Sequence, residues 1–162
     1  MKQFTPDSLL NTKNLELPSS DWVRIDQSMI NSFADVTRDH QFIHVDPERT
    51  KNTTDLAGTI AHGFLTLSLL SSMAEDSLPQ VEGATGILNY GMDKLRFLSP
   101  VLSGSRVRAH FSLIEARLKD EGHLLLRYGV SVEIEDLTTP ALVTEWMAMV
   151  LFDAETTSPK KP

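Results

Sequence analysis

The chain reads as an α+β domain: an antiparallel β-sheet wrapped around one long central α-helix. Two observations predict it. The stretch "IAHGFLTLSLLSSMAED" is apolar on nearly all sides at helical spacing, and the text after it switches to period two. Short polar turns between the period-two segments favour antiparallel hairpins over crossovers.

Residues 1–20 are polar with scattered leucines and end in "LPSS", a loosely attached lead-in to a domain spanning 21–153. "DWVRI" is a short strand. "DQSMINSFADVT" follows as a helix capped by Asp26 or Ser28, with Ile30, Phe33 and Ala34 as its apolar stripe and Val36 as a candidate extension of it. Residues 37–58 are irregular, and Asp46-Pro47 opens a turn or a short helix. The central helix is expected from Thr59 to about Asp76. Ile60, Phe64, Leu67, Leu70 and Ala74 form its stripe, widened by Leu65, Leu69 and Met73, so it should be buried around most of its circumference. Gly63 costs ~1 kcal/mol inside a helix relative to alanine, which points to a close backbone approach there.

"GILNYGMDKLRFLSP" makes one or two strands. Val107, Ala109, Phe111 and Leu113 alternate with polar neighbours on the next strand. Leu124, Leu126, Tyr128, Val130, Val132 and Ile134 do so on another, and Leu142, Thr144, Trp146, Ala148, Val150 and Phe152 on the last. The turns fall at Lys119 to Gly122 and Asp136 to Pro140. Residues 154–162 are a polar, proline-flanked, flexible tail.

A chain of 162 residues suits one domain, and 41% apolar with 23% charged residues is ordinary for a globular one. A net charge of -7 argues against nucleic acid as a partner. It leaves room for a phosphorylated small ligand held by local cations, for which Lys94, Arg96, Arg106 and Arg108 are available. No apolar run approaches the ~20 residues that span a bilayer, and the N-terminus lacks a signal-peptide core, so no membrane is expected. The absence of cysteine removes disulfides, a thiolate nucleophile and Cys-type metal sites, and is compatible with the cytoplasm.

The chemistry concentrates in "VTRDHQFIHVDPERT", just ahead of "AHGFLTLSLL". Taken alone, Asp39 fits a turn cap or a pair with Arg38, and His44 fits a satisfied structural histidine. The His40/His44 spacing would suit zinc only on a helix, which "QFI" and "VDP" do not resemble, so no metal is expected. His62 fits a backbone hydrogen bond near the helix start; His110 and His123 fit solvent-facing positions; Trp22 and Trp146 fit packing. No Gly-x-Ser-x-Gly elbow accompanies Ser71, against a serine hydrolase.

"FADVTRDHQFIHVDP" resembles the signature of the MaoC-like dehydratases, the R-specific enoyl-CoA hydratases (hydratase 2). Phe33 stands for its aromatic, Asp39 for its aspartate, Ile43 for its apolar residue and His44 for its histidine. "AHGFLTLSLLS" resembles the family's second block and "LRFLSPVLSGSRV" its third, so the likeness runs over roughly 21–153. The Asp-His-Gln-aromatic-Ile-His run is closer to the branch resembling nodulation protein N. The family's glycine, asparagine and proline are replaced by Arg38, Gln41 and Phe42, and its small residue is Thr50. If position 38 needs a positive φ, arginine is strained there; alternatively, Arg38 reaches a ligand phosphate or a partner chain.

The resemblance implies a hot-dog fold, a homodimer joined edge to edge, and reversible hydration of a trans-2-enoyl thioester to an R-3-hydroxyacyl thioester. It implies that Asp39 and His44 activate water and that the Gly63 amide holds the thioester oxygen. Ser71, Ser68, His62, Phe42 and Arg38 are the expected substrate contacts. The implied substrate is an acyl-CoA or acyl-carrier-protein thioester, with no cofactor beyond the coenzyme A it carries. The alternatives are a hot-dog acyl-CoA thioesterase, which would release free thiol, and a non-catalytic acyl-thioester-binding or assembly protein.

Overall fold

In the computed structural model, residues 3–75, 77–120 and 122–153 are described. Long strands dominate: β5 (Ala84–Phe97), β6 (Arg106–Asp120), β7 (His123–Ile134) and β8 (Leu142–Phe152). With the short β2 (Leu15–Glu16) they form one sheet in the order β2-β6-β7-β8-β5, and β3 (Val23–Arg24) also pairs with β6. Every pairing in it is antiparallel. A second, parallel pair joins β1 (Gln3–Phe4) to β4 (Gln80–Val81).

Alternation decides which face is inside. Val107, Ala109, Phe111 and Leu113 of β6, all six expected positions of β7, and Leu142, Thr144, Trp146, Ala148 and Val150 of β8 are buried. A slip of one residue in any of these ladders would turn that set out to water, so the pattern fixes the register. β5 is a single strand rather than two, and register shifts divide its pairing with β8.

The helices are α1 (Pro6–Leu10), α2 (Gln27–Thr37), α3 (Phe42–Val45), α4 (Pro47–Thr53), α5 (Gly63–Ser68) and α6 (Leu70–Glu75). Leu65, Leu70, Met73 and Ala74 pack from α5 and α6 into the core cluster with the inward faces of β6, β7 and β8. The single long helix expected from Thr59 is therefore two short ones. Leu69 tightens the join: its N–H bonds to the carbonyls of both Leu65 and Leu67. The helical path nonetheless carries on, because Met73 N–H donates to the Leu69 carbonyl at 3.0 Å. Before Gly63 the chain is extended, since Ile60 N–H is committed to the Ile43 carbonyl and Ala61 N–H to that of Val101. Side-chain periodicity carries no information about those backbone partners.

Other expectations also shift. Phe64, placed in the inward stripe, is 67% exposed, so one flank of the helical run faces out, and Val36 at the end of α2 is 84% exposed rather than part of that helix's stripe. Residues 3–17 are not loose: Leu9 is fully buried, and Leu17 N–H donates to the Phe111 carbonyl at 3.0 Å. His110 and His123 do face solvent, with 41% and 43% of their side chains exposed, yet neither is free: the first bonds Ser19 and Glu133, the second Asp120. The tail 154–162, and with it the expected flexibility, lies outside the described residues, as does Asp76. No helix among the described residues is long and apolar enough to cross a membrane.

Candidate active site

Capping and tight turns build the polar loop. Asp26 caps α2 by accepting from the Met29 N–H at 2.9 Å. α2 stops at Arg38, which adopts the left-handed conformation with φ 62° and ψ 22°. That reversal presents Asp39 and leads into the single turn of α3, which carries His44. Asp46 then caps α4 through the Arg49 N–H at 2.9 Å. The Thr50 hydroxyl ties the two short helices together, within hydrogen-bond distance of the carbonyls of Asp46 (2.7 Å) and Phe42 (3.1 Å). From α2, the Gln27 amide donates to the His44 carbonyl at 2.7 Å.

His44 is 7% exposed, and its Nδ1 lies 2.7 Å from the Ile60 carbonyl. A carbonyl only accepts, so Nδ1 carries the hydrogen and Nε2 keeps a bare lone pair. Burial lowers the pKa of this imidazole from 6.5; the Ile60 carbonyl opposes that, His62 adds to it and Asp39 opposes it. The net direction keeps the ring neutral further into acid, which suits a base. His62, 3% exposed, stacks on it with centroids 3.7 Å apart and planes 24° off parallel. His62 Nε2 lies 2.9 Å from the Asp39 carbonyl and must donate to it. Its Nδ1 is buried without a partner among the described residues, a cost of about 1–3 kcal/mol.

The two histidines and Asp39 thus converge, with one ring nitrogen of each and a carboxylate oxygen all within 4.8 Å of one another. The Asp39 side chain is 55% exposed, and its Oδ1 accepts from the Gln41 N–H at 3.3 Å. His44 and Gly63 share a pocket of about 410 Å³ with Ile60, Phe64, Thr66 and Phe97. Gly63 opens α5, where a backbone N–H has no intrahelical acceptor. The Phe97 ring lies 3.0 Å from where a Gly63 Cβ would sit, so the close approach expected at this glycine is real.

Asp39, His44 and His62 could also be read as a metal site. Stacked rings make it a poor one: in-plane lone pairs on nearly parallel rings run side by side, whereas ligation requires them to meet at one point ~2.0–2.1 Å from each nitrogen. His40, the other half of the H-x3-H spacing, instead lies 3.8 Å from Asp35.

The remaining sequence candidates are dispersed. Ser68 is exposed and donates to the Phe64 carbonyl at 2.7 Å. Ser71 lines a second cavity of about 420 Å³ along the same helical run, with Ala74, Tyr128, Trp146 and Ala148. Phe42 is half-buried under the Arg49 guanidinium, 4.1 Å from the ring centroid. Arg38 is exposed, and its positive φ bears out the expectation of strain. An L-residue there costs about 1–2 kcal/mol, partly offset by the entropy glycine loses on folding. Arg38→Gly should therefore stabilise the domain by up to about 1 kcal/mol, a rise of about 2–4 °C in Tm by calorimetry.

Sequence reasoning passed over Gln27, Phe97 and the Ile60 carbonyl. The Gln27 amide binds the main-chain carbonyl of His44, and Ile60 holds the His44 ring through its own main-chain carbonyl; a main-chain partner leaves no side-chain pattern to read.

A model of the MaoC like domain matches residues 11–133. The chain belongs to the MaoC-like family. It is 50% identical over 138 residues to nodulation protein N of Rhizobium leguminosarum bv. viciae, covering 85% of this chain and 86% of that one. It is 45% identical over 126 residues to 3-hydroxyacyl-thioester dehydratase Z of Mycobacterium tuberculosis, covering 78% and 82%. Among solved structures, an Archaeoglobus protein described as a monoamine oxidase regulatory protein superposes with TM-score 0.75 at 22% identity, over 94% of this chain and 99% of that one. The (R)-hydratase from A. caviae involved in PHA biosynthesis gives 0.66 at 23%, over 85% and 96%. At such identities the structures speak to the fold alone, and the fold of this MaoC-like domain is the hot-dog.

Proposed function

We propose that this MaoC-like protein adds water reversibly across a trans-2-enoyl thioester to give the R-3-hydroxyacyl thioester. The observation that carries the reading is the convergence of the Asp39 carboxylate with a buried His44 whose free nitrogen is unprotonated, beside the pocket that Gly63 lines. A water between the two gives its oxygen to Cβ and one proton to the pair. Cα takes a proton from the same pair, so one H2O is added and the C–S bond stays whole. Negative charge on the thioester oxygen builds up during addition, and the Gly63 N–H is the donor we assign to it. The second cavity, with Ser71 on its wall, gives the acyl chain room. Arg38, exposed and next to Asp39, is the cation we assign to the phosphates of coenzyme A or a carrier protein. The chemistry needs no metal or cofactor beyond the substrate's own thiol carrier, and we place it in the cytoplasm.

The test is loss of crotonyl-CoA enoyl absorbance with the thioester intact and an R-configured product. Release of free thiol instead would make the protein a thioesterase, and tight binding without turnover would make it a binder.

We assign a second copy of the chain as partner. β5 is the long edge strand of the sheet, and it exposes Ile87 (57%), Leu88 (55%) and Tyr90 (49%). An apolar edge of this length invites strand pairing, and a two-fold pairing of β5 with its mate closes it. Leu88→Asp should convert the dimer to a monomer by light scattering, since pairing would then press a carboxylate against the apolar edge.

A further inference from the structure

We infer that His62 is a positioning residue for the proposed acid–base pair, gripping the backbone of Asp39 with one ring nitrogen while its ring face supports His44. The inference rests on the assignment of Asp39 and His44 above but concerns a group that assignment leaves without a task.

His62 is 3% exposed and, unlike His44, lines neither the Gly63 pocket nor the Ser71 cavity, so it is not positioned as a substrate contact. Its ring is wedged between His44, stacked at 3.7 Å, and Phe33, tilted with centroids 5.1 Å apart. From there Nε2–H reaches the Asp39 carbonyl at 2.9 Å and lies 4.0 Å from its carboxylate. One ring therefore fixes both members of the pair, although they come from different turns of the chain. Asp39 especially needs this. Its side chain is half out in solvent, and the residue before it holds a left-handed conformation that arginine does not favour. An apolar ring at position 62 would pack as well and would avoid the orphaned Nδ1. A buried polar atom without a partner calls for a reason, and the Nε2 grip on Asp39 supplies one.

The stack also has an electrostatic consequence. The titratable groups acting on His44 are His62, from the segment before α5, and Asp39, from the turn after α2; the first disfavours the protonated ring and the second favours it. Burial, the largest influence holding the His44 pKa down, stays in place without His62, but the opposing imidazole is gone, so His44 should take its proton at somewhat higher pH.

Two variants of the full chain separate these roles. His62→Phe keeps a stacked ring but loses the donor, whereas His62→Gln keeps a donor at the reach of Nε2 but loses the ring. Proton NMR titration of the His44 ring should show its midpoint raised in both folded variants. With crotonyl-CoA, kcat of His62→Phe should fall about 10- to 100-fold, as for reacting groups displaced by around an ångström. His62→Gln should retain more of it, with KM nearly unchanged in each. A His44 midpoint that stays put in both variants overturns the inference, and so does a His62→Phe enzyme with wild-type kcat. The titration is read without substrate, so it still decides the role of His62 if the wild-type protein fails to hydrate the enoyl thioester. That failure would overturn the proposed activity instead.

Discussion

His44→Ala and Asp39→Ala should each lower kcat for enoyl-thioester hydration by about 10²- to 10⁴-fold, the range by which a placed acid–base group accelerates a reaction. The double variant should be scarcely worse than either single one, because two groups holding one water act as a unit. Structure should survive these changes unequally. Asp39 is exposed, and among the described residues its carboxylate accepts from the Gln41 N–H and lies 4.0 Å from His62 Nε2, contacts a folded domain can lose cheaply. His44 is buried and bonded to Ile60, so its loss opens a cavity and costs stability as well. Asp39→Ala is therefore the cleaner test, and activity that persisted in it with an unchanged pH profile would remove the carboxylate from the mechanism.

The pH profile carries a sign. His44 has its folded-state pKa below 6.5, so the unfolded chain binds more protons between the two values. Stability should fall as pH drops through 6.5 and level off once the folded ring is also protonated. Activity in the hydration direction should follow the neutral ring and decline only below 6.5. In Asp39→Asn the carboxylate no longer favours the imidazolium, so that acid limb should move to still lower pH.

Strand faces were legible because burial on one side imposes period two on the side chains. Tyr128, Trp146 and Phe111 sit on the faces their spacing assigns. Helix limits were less so. Residues 59–62 have helical apolar spacing, yet Ile60 and Ala61 give their N–H groups to Ile43 and Val101, a competition side-chain spacing does not record. For the site, residue types and block order pointed to Asp39 and His44. The ring that joins them comes from the next block, where His62 differed little from any histidine near a helix start. Its stacking is a fact of tertiary packing, as is the Phe97 ring over Gly63.

Gly63→Ala should separate fold from function. The added methyl would meet Phe97 Cδ1 and Cε1 at 3.0 Å, too close to leave the ring where it is. Phe97 is 47% exposed and touches Phe64 edge-on with centroids 6.0 Å apart, so the ring can swing toward solvent. We expect a stability change within about 1 kcal/mol, since alanine's better helix propensity offsets part of the repacking. Activity should respond more strongly. If the thioester oxygen comes up to the Gly63 N–H, a methyl beside that approach lengthens the hydrogen bond. A loss of about 10²-fold in kcat/KM is then expected, at the lower end of what removing an oxyanion donor costs. Phe97→Ala decides between two origins of that loss. When the displaced ring is the cause, Phe97→Ala alone reproduces the defect. When the methyl itself blocks the oxygen, the Gly63→Ala/Phe97→Ala protein stays impaired despite the space restored. Near-normal kcat/KM in Gly63→Ala would mean that the oxygen is held elsewhere, and the first turn of α5 would lose its assigned role.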